Sequence, residues 1–270
     1  MSDRWLFTGA VVVYGICSGY SLLLWRRGFR ADNLWLYLLL GGGALFHTAA
    51  MFQRGFRVDR CPIHNLFEAT VFISWTVVVA YLLLGAIPRL RFIGAFVSPL
   101  LFATGVFALF PMLDERGPTP HFEHAWETLH AALILLAYGA FGMSAMAALM
   151  YLSHEHDLRF DKSRALLARL PSIHRLERVV SGLLAGGFSL LTTGLLVGSW
   201  WLKVNRGYWM NDDPKVVWSI FVWVVYLVLL LLRATNGARG RRYAWGVIGT
   251  FAFVLLTFWG TNIPSAIHHP

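Results

Sequence analysis

The sequence contains eight runs of about 20 mostly apolar residues, the length that an α-helix needs to cross the hydrocarbon core of a bilayer. They fall at residues 5–25, 33–52, 66–87, 92–112, 128–152, 179–201, 216–232 and 243–262. Only 14% of the residues are charged, against roughly 25% in a soluble globular domain. The sequence therefore predicts an all-α, polytopic transmembrane helical bundle of about eight membrane-spanning helices, with residues 1–270 forming one domain.

Small residues are concentrated in the fifth and sixth of these runs. Small residues let membrane helices approach each other closely, so both runs are expected to pack tightly against neighbouring helices. The residues concerned are Gly139, Gly142, Ser144, Ala145 and Ala148 in the fifth run, and Gly182, Gly186, Gly187, Ser189, Gly194 and Gly198 in the sixth.

The basic residues are divided unequally between the two sides of the predicted bundle. Fifteen of them lie in or beside the segments 26–30, 89–91, 159–178 and 233–242, and eight lie on the other side. Cytoplasmic loops collect Lys and Arg, so the first side is predicted to be cytoplasmic and both termini to lie outside. The same rule accounts for the formal charge of +9 without nucleic-acid binding. Residues 161–170 are predicted to form an amphipathic helix on the cytoplasmic surface.

The ten histidines are distributed unevenly over this topology. Three fall in the cytoplasmic segment 153–178, and the other seven fall on or near the outer side. His130 begins the fifth helix at the outer boundary, His268 and His269 follow the last helix, and His47 lies inside the second helix. Neutral imidazole is a common metal ligand, and paired histidines are a standard way to hold haem iron. The alternative is that His130 is an interfacial residue and that His47 hydrogen-bonds a neighbouring helix.

The outer segment between the sixth and seventh helices is rich in tryptophan. Aromatic residues at the membrane interface explain Trp200, Trp201 and Trp218, but they do not explain the turn 212–215, Asp-Asp-Pro-Lys, among them. Rings and cations together suit a flat, anionic, largely apolar ligand such as a porphyrin, whose propionates would meet the cations. The rings are those of Tyr208 and Trp209, and the cations are Lys203, Arg206 and Lys215. Asp213 and Pro214 are expected to form a rigid turn ahead of the seventh helix.

The segment 61–68 contains a second group of polar residues on the outer side. Asn65 can cap the third helix, and Glu68 lies in its first turn, where the helix dipole favours a carboxylate. Capping is favoured over a catalytic role for Glu68. Cys61 and Cys17 form no CxxC pair. No serine-triad, phosphate-loop or zinc-protease pattern is present in the sequence, so no covalent chemistry is predicted for this chain alone.

Three separated segments resemble the CcsA/ResC-type haem-handling proteins of cytochrome c assembly, a group that includes HemX-like members. The segment 62–68 with Trp75 is similar to the family's Pro-x-x-Asn-Leu-Tyr-Glu run and its following Trp. In the segment 126–152, His130 falls at the family's first external haem-ligand histidine. The segment 198–268 carries the tryptophan-rich loop and ends on a histidine, so His268, or failing that His269, matches the second ligand. The resemblance covers about residues 40–270.

The tryptophan-rich loop departs from the family pattern. Only Gly207, Asp213, Pro214, Lys215 and Trp218 persist without gaps, and Trp209 stands in a Tyr position. Members that carry haem across the membrane also have a histidine in the seventh helix, and this chain has leucines there, at residues 229–232. His47, on another helix, is the remaining candidate for that internal site.

The resemblance implies a protein that binds haem b through His130 and His268 and presents it at the outer face for attachment to apocytochrome c. Other cytochrome c biogenesis membrane proteins would be its partners in the bilayer, and any haem-attachment activity would belong to the assembled system. The alternative is a HemX-like accessory or regulatory protein that stabilises a partner complex without carrying haem.

Overall fold

The computed structural model describes residues 3–26, 34–58, 65–114, 125–159, 173–210, 213–235 and 240–260. Within these ranges there are eight long α-helices and no strand. They are α1 (Asp3–Arg26), α2 (Leu34–Val58), α3 (Leu66–Gly85), α4 (Gly94–Ala108), α5 (Ala125–Arg159), α6 (Ile173–Arg206), α7 (Pro214–Thr235) and α8 (Arg241–Gly260). Two short 3₁₀ helices, Pro88–Ile93 and Pro111–Asp114, flank α4.

The prediction of an all-helical membrane bundle is confirmed. Seven of the eight helices are long and apolar enough to cross a membrane, and α8 is the exception within the described residues. Helices α2, α5 and α6 are longer than the sequence predicted. In particular, α2 continues to Val58, so Arg54 is helical and is not part of a loop. The amphipathic helix predicted at 161–170 lies outside the described residues.

Local chemistry explains several helix boundaries. Asn65 caps α3 as predicted, because its side-chain oxygen accepts a 2.8 Å hydrogen bond from the backbone N–H of Glu68. Gly207 follows α6 with φ of +82°, and Gly240 precedes α8 with φ of +73°. Both are left-handed conformations that glycine adopts without steric cost, which allows the chain to turn sharply there.

Helix α5 is the centre of the bundle. In the most apolar stretch of α5, 72% of the residues are buried, against 11% in the corresponding stretch of α7. Helices α1 to α4 pack together as one group, and α6 and α8 pack on the other side of α5, with α7 mainly against α6 and α8. Contacts of α5 with α3 and, to a smaller extent, α4 join the two groups. Across the second group, the rings of Phe141 on α5 and Tyr226 on α7 stack with centroids 3.6 Å apart.

Close packing depends on glycine at defined positions of α5 and α6. A Cβ at Gly139 would overlap Thr76 of α3, and a Cβ at Gly187 would lie 2.7 Å from the ring of Phe141. The prediction of tight packing is therefore confirmed for these residues. It is wrong for Gly182 and Gly186, because a Cβ at either position would meet nothing within 4 Å in the described structure.

Candidate functional site

His130 lies in the second turn of α5, half-buried against α6. Its Nδ1 atom is 2.6 Å from the backbone carbonyl oxygen of Gly194. A carbonyl only accepts, so Nδ1 carries the proton and donates it, and Nε2 keeps its lone pair. Histidines that bind a metal are typically oriented in this way, with one ring nitrogen donating to a carbonyl or carboxylate and the other free to coordinate. The ring of His130 is therefore held as a metal ligand would be.

Gly198 provides the space that the His130 ring occupies. A Cβ at this position would lie 2.6 Å from both Cε1 and Nδ1 of His130, closer than non-bonded atoms approach. Gly194, one turn earlier, similarly lies against Ile134 of α5. The two glycines thus bring the α6 backbone to the histidine, supplying both the space and the carbonyl acceptor.

Two exposed tryptophans lie beside this histidine. Trp126 is one turn before His130 on α5, Trp200 is two residues after Gly198 on α6, and their rings meet edge to face with centroids 5.2 Å apart. Beyond them α6 continues to Arg206, about 12 Å along the helix axis from Gly198 at 1.5 Å per residue. Tyr208 and Trp209, the rings predicted to face the ligand, follow Gly207 just after the end of α6. Trp209 is 57% exposed.

The loop itself is partly ordered by contacts within the chain. Lys203 donates from Nζ to the carbonyl of Gly207 at 2.9 Å, so in this arrangement its charge holds the end of α6. Asp213 is buried, and its carbonyl accepts from the backbone N–H of Val217 where α7 begins. Arg206 is exposed at the end of α6. The side chain of Lys215, and both His268 and His269, lie outside the part of the chain that the structure describes.

Two indole N–H groups near this end of the bundle are buried without an acceptor. They belong to Trp201 on α6 and Trp218 on α7, and neither finds a hydrogen-bond partner among the described residues. Trp218 packs its ring against Phe221 and Phe253. Buried donors without acceptors are rare in folded proteins, so these two groups are candidates to bind a ligand.

His47 is fully buried in the other half of the bundle. Its Nε2 is 3.0 Å from the carbonyl of Val71 on α3, and its Nδ1 is 3.2 Å from the hydroxyl of Tyr14 on α1. The carbonyl fixes the proton on Nε2, so Nδ1 accepts from the tyrosine. Both ring nitrogens are occupied within the protein. The internal haem-ligand role stays a prediction, and it would require one of these bonds to break.

A buried ionic cluster lies at the same end of the bundle as His130, and it was not predicted from the sequence. Arg54 of α2 donates from Nε to Glu68 of α3 at 2.7 Å and from Nη1 to Asp3 of α1 at 3.0 Å. Its Nη2 also binds Asp114, which receives further hydrogen bonds from Arg4 and Asn65. Arg54 and Glu68 are 5% and 4% exposed. Glu68 is thus an ion-pair partner as well as a first-turn carboxylate.

The cluster and one further hydrogen bond give structural roles to three polar residues of the segment 65–75. Asn65 links the α3 cap to Asp114, Glu68 holds Arg54, and Trp75 donates from its indole N–H to Thr48 of α2 at 2.9 Å. The sequence did contain an indication of this cluster, because Arg54 closely follows the apolar run 33–52. An arginine in or beside a membrane-spanning helix is costly unless it is paired. The second predicted run ended at residue 52, before Arg54, so this pairing was not predicted.

Comparison with known proteins agrees with this architecture. The description of the matching protein family is Cytochrome C assembly protein, and it covers residues 63–269. Similar proteins include the cytochrome c biogenesis protein CcsA of Prochlorococcus marinus, 26% identical over 94% of this chain and 91% of its own length. The CcsA proteins of Gloeobacter violaceus and Mesostigma viride are each 25% identical, over 83% and 78% of this chain and 83% and 77% of their own lengths.

The fold and these matches define a polytopic helical membrane protein of cytochrome c biogenesis. The chain belongs to the cytochrome c assembly protein family.

Proposed function

We propose that this chain binds haem b at its outer face and presents it for attachment to apocytochrome c. The observation that carries the proposal is the orientation of His130, whose Nδ1–H donates to Gly194 and leaves Nε2 free as a ligand. The two buried indole donors of Trp201 and Trp218 suit a ligand that carries hydrogen-bond acceptors such as carboxylates.

The residues of the chain would divide this task. His130 would ligate the iron, and a histidine after α8, His268 or His269, would be the second ligand. Tyr208 and Trp209 would stack on the porphyrin, and Arg206 and Lys215 would meet the propionates. Haem itself would supply the vinyl groups to which an apocytochrome is joined. Apocytochrome c and other biogenesis membrane proteins would be the partners, in the inner membrane of a bacterium.

The test is the visible absorption spectrum of the protein purified from cells supplied with haem. The wild type should show a Soret band, and His130→Ala should lose most of it or change its spin state. His174→Ala is the matched control, because the side chain of His174 is 91% exposed and lies at the other end of α6. A wild type that purifies without any haem would overturn the proposal and favour the accessory role, which the relatives described above do not support.

A second pair of variants distinguishes a residue that would contact haem from a residue that stabilises the fold of the loop. Trp209→Ala should weaken haem retention while the protein still folds, because it removes an exposed ring. Asp213→Ala should mainly lower thermal stability, because Asp213 is buried at the start of α7. Unchanged haem retention in Trp209→Ala would exclude the loop as the platform while leaving His130 as the ligand.

A further inference from the structure

A second group of buried polar atoms lies at the end of the bundle opposite His130. Arg233 is in the last turn of α7, and Tyr243 is in the first turn of α8. The guanidinium of Arg233 lies over the Tyr243 ring, 4.9 Å from its centroid. Tyr243 is only 5% exposed. These two side chains therefore form one contact where α7 and α8 meet.

Both side chains bury a donor that has no acceptor. Within the described residues, Nη1 of Arg233 and the hydroxyl of Tyr243 are enclosed and make no hydrogen bond. Nη2 of Arg233 makes only a long contact, 3.5 Å, to the backbone carbonyl of Glu177. A buried donor left without a partner costs free energy, more so when it is charged. An acceptor placed where these two side chains meet would remove that cost.

The nearby carboxylate does not fill this role. One oxygen of Glu177 accepts from the backbone N–H of Gly240 at 2.8 Å, and the other lies 3.9 Å from Nδ1 of His174. Arg233 forms no ion pair with any carboxylate in the described part of the chain. The remaining charges on α8 at this level, Arg241 and Arg242, are positive and exposed. The missing acceptor is therefore expected to be an anion.

The position along the helix identifies the kind of anion. The membrane-spanning stretch of α7 ends at Thr235, two residues after Arg233. Arginine at this depth reaches the level of the lipid headgroups. Basic pockets between membrane helices at this level bind the headgroups of anionic lipids. We propose that Arg233 and Tyr243 bind the phosphate of an anionic phospholipid, with Arg241 and Arg242 adding attraction at longer range.

The experiment uses the full chain in a neutral detergent, titrated with phosphatidylglycerol, with phosphatidylcholine, or with inorganic phosphate. Thermal unfolding measures how strongly each one protects the fold. Phosphatidylglycerol should raise the unfolding temperature of the wild type, and Tyr243→Phe should need about tenfold more of this lipid for the same rise. Tyr243→Phe keeps the ring beneath Arg233 and removes only the hydroxyl. Without lipid, it should be as stable as the wild type or slightly more so.

Arg242→Gln is the matched control, because it removes an exposed charge at the same level and should change the response less than Tyr243→Phe. Arg233→Gln should abolish the difference between phosphatidylglycerol and phosphatidylcholine. An identical phosphatidylglycerol response in the wild type and Tyr243→Phe would overturn the proposal. Equal protection by inorganic phosphate would overturn the assignment to a lipid. Neither outcome depends on haem, so the test is independent of the function proposed above.

Discussion

The Nδ1 atom of His130 and the carbonyl oxygen of Gly194 are joined by a 2.6 Å hydrogen bond across α5 and α6. The bond fixes the tautomer of the imidazole. It also fixes the direction in which Nε2 points, and the ring fits in this orientation because Gly198 has no side chain. The glycines of α6 therefore have a role in the site that can be tested separately from the histidine.

Gly198→Ala should displace the His130 ring and reduce haem retention by about tenfold, as changes in the supporting partners of a metal ligand commonly do. Gly186→Ala is the matched control on the same helix, because its Cβ would enter open space. The measurement is the Soret absorbance per purified protein for both variants. Equal loss in the two variants would indicate a general effect on α6.

His47→Ala should lower thermal stability and leave the haem spectrum of the folded protein unchanged. The substitution opens a cavity and leaves the hydroxyl of Tyr14 without its acceptor. Tyr14→Phe is a milder variant and should cost about 1–3 kcal/mol, because it removes only the donor to a buried Nδ1. Loss of haem from a well-folded His47→Ala protein would instead support the internal-ligand role.

Arg54→Gln should destabilise the protein by about 3–5 kcal/mol, because it leaves the carboxylates of Asp3, Glu68 and Asp114 without their buried cation. Arg4→Gln should cost much less, since the Arg4 side chain is 35% exposed and its ion pair is solvated. Chemical denaturation in detergent compares the two. Similar losses would show that Arg54 does not anchor the cluster.

The same cluster predicts a loss of stability in acid. Burial alone would raise the pKa of Asp114, but hydrogen bonds from Arg54 and Asn65 and the charge of Arg4 outweigh it, so the pKa lies below its ordinary value. A lowered pKa contributes stability that is present above the ordinary value of 3.8 and is lost as the pH falls through the folded-state pKa. Asp114→Asn should therefore be less stable at neutral pH and show a shallower acid loss than the wild type. Parallel pH profiles would contradict this role.

The topology predicts opposite labelling of the two ends of the bundle. With Cys17 and Cys61 replaced, Met112→Cys should react with a membrane-impermeant maleimide from outside, because Met112 is 78% exposed near the predicted outer face. His174→Cys should react only after the membrane is permeabilised. The reverse pattern would place His130 on the cytoplasmic side and remove the basis for presenting haem outside.

The sequence by itself determined the class of fold, because the need to satisfy every backbone hydrogen bond in lipid leaves apolar runs of this length little choice but to be helices. It also determined the cap at Asn65, since a cap depends on residue type and position along one helix. It indicated His130 as a candidate ligand through the resemblance of the segment around it. These features are local, or follow from the resemblance of short segments.

Only the tertiary structure decided which groups meet across helices. The carbonyl partner of His130, the two bonds that occupy His47 and the pairing of Arg54 with Asp3 and Glu68 join residues 14 to 64 positions apart in the sequence. Spacing along one helix shows which face a residue occupies, but not which neighbouring helix that face meets. Glycine packed against the His130 ring, and arginine paired with carboxylates, decide which helices meet, because a polar group inside a membrane bundle is costly unless it has a partner.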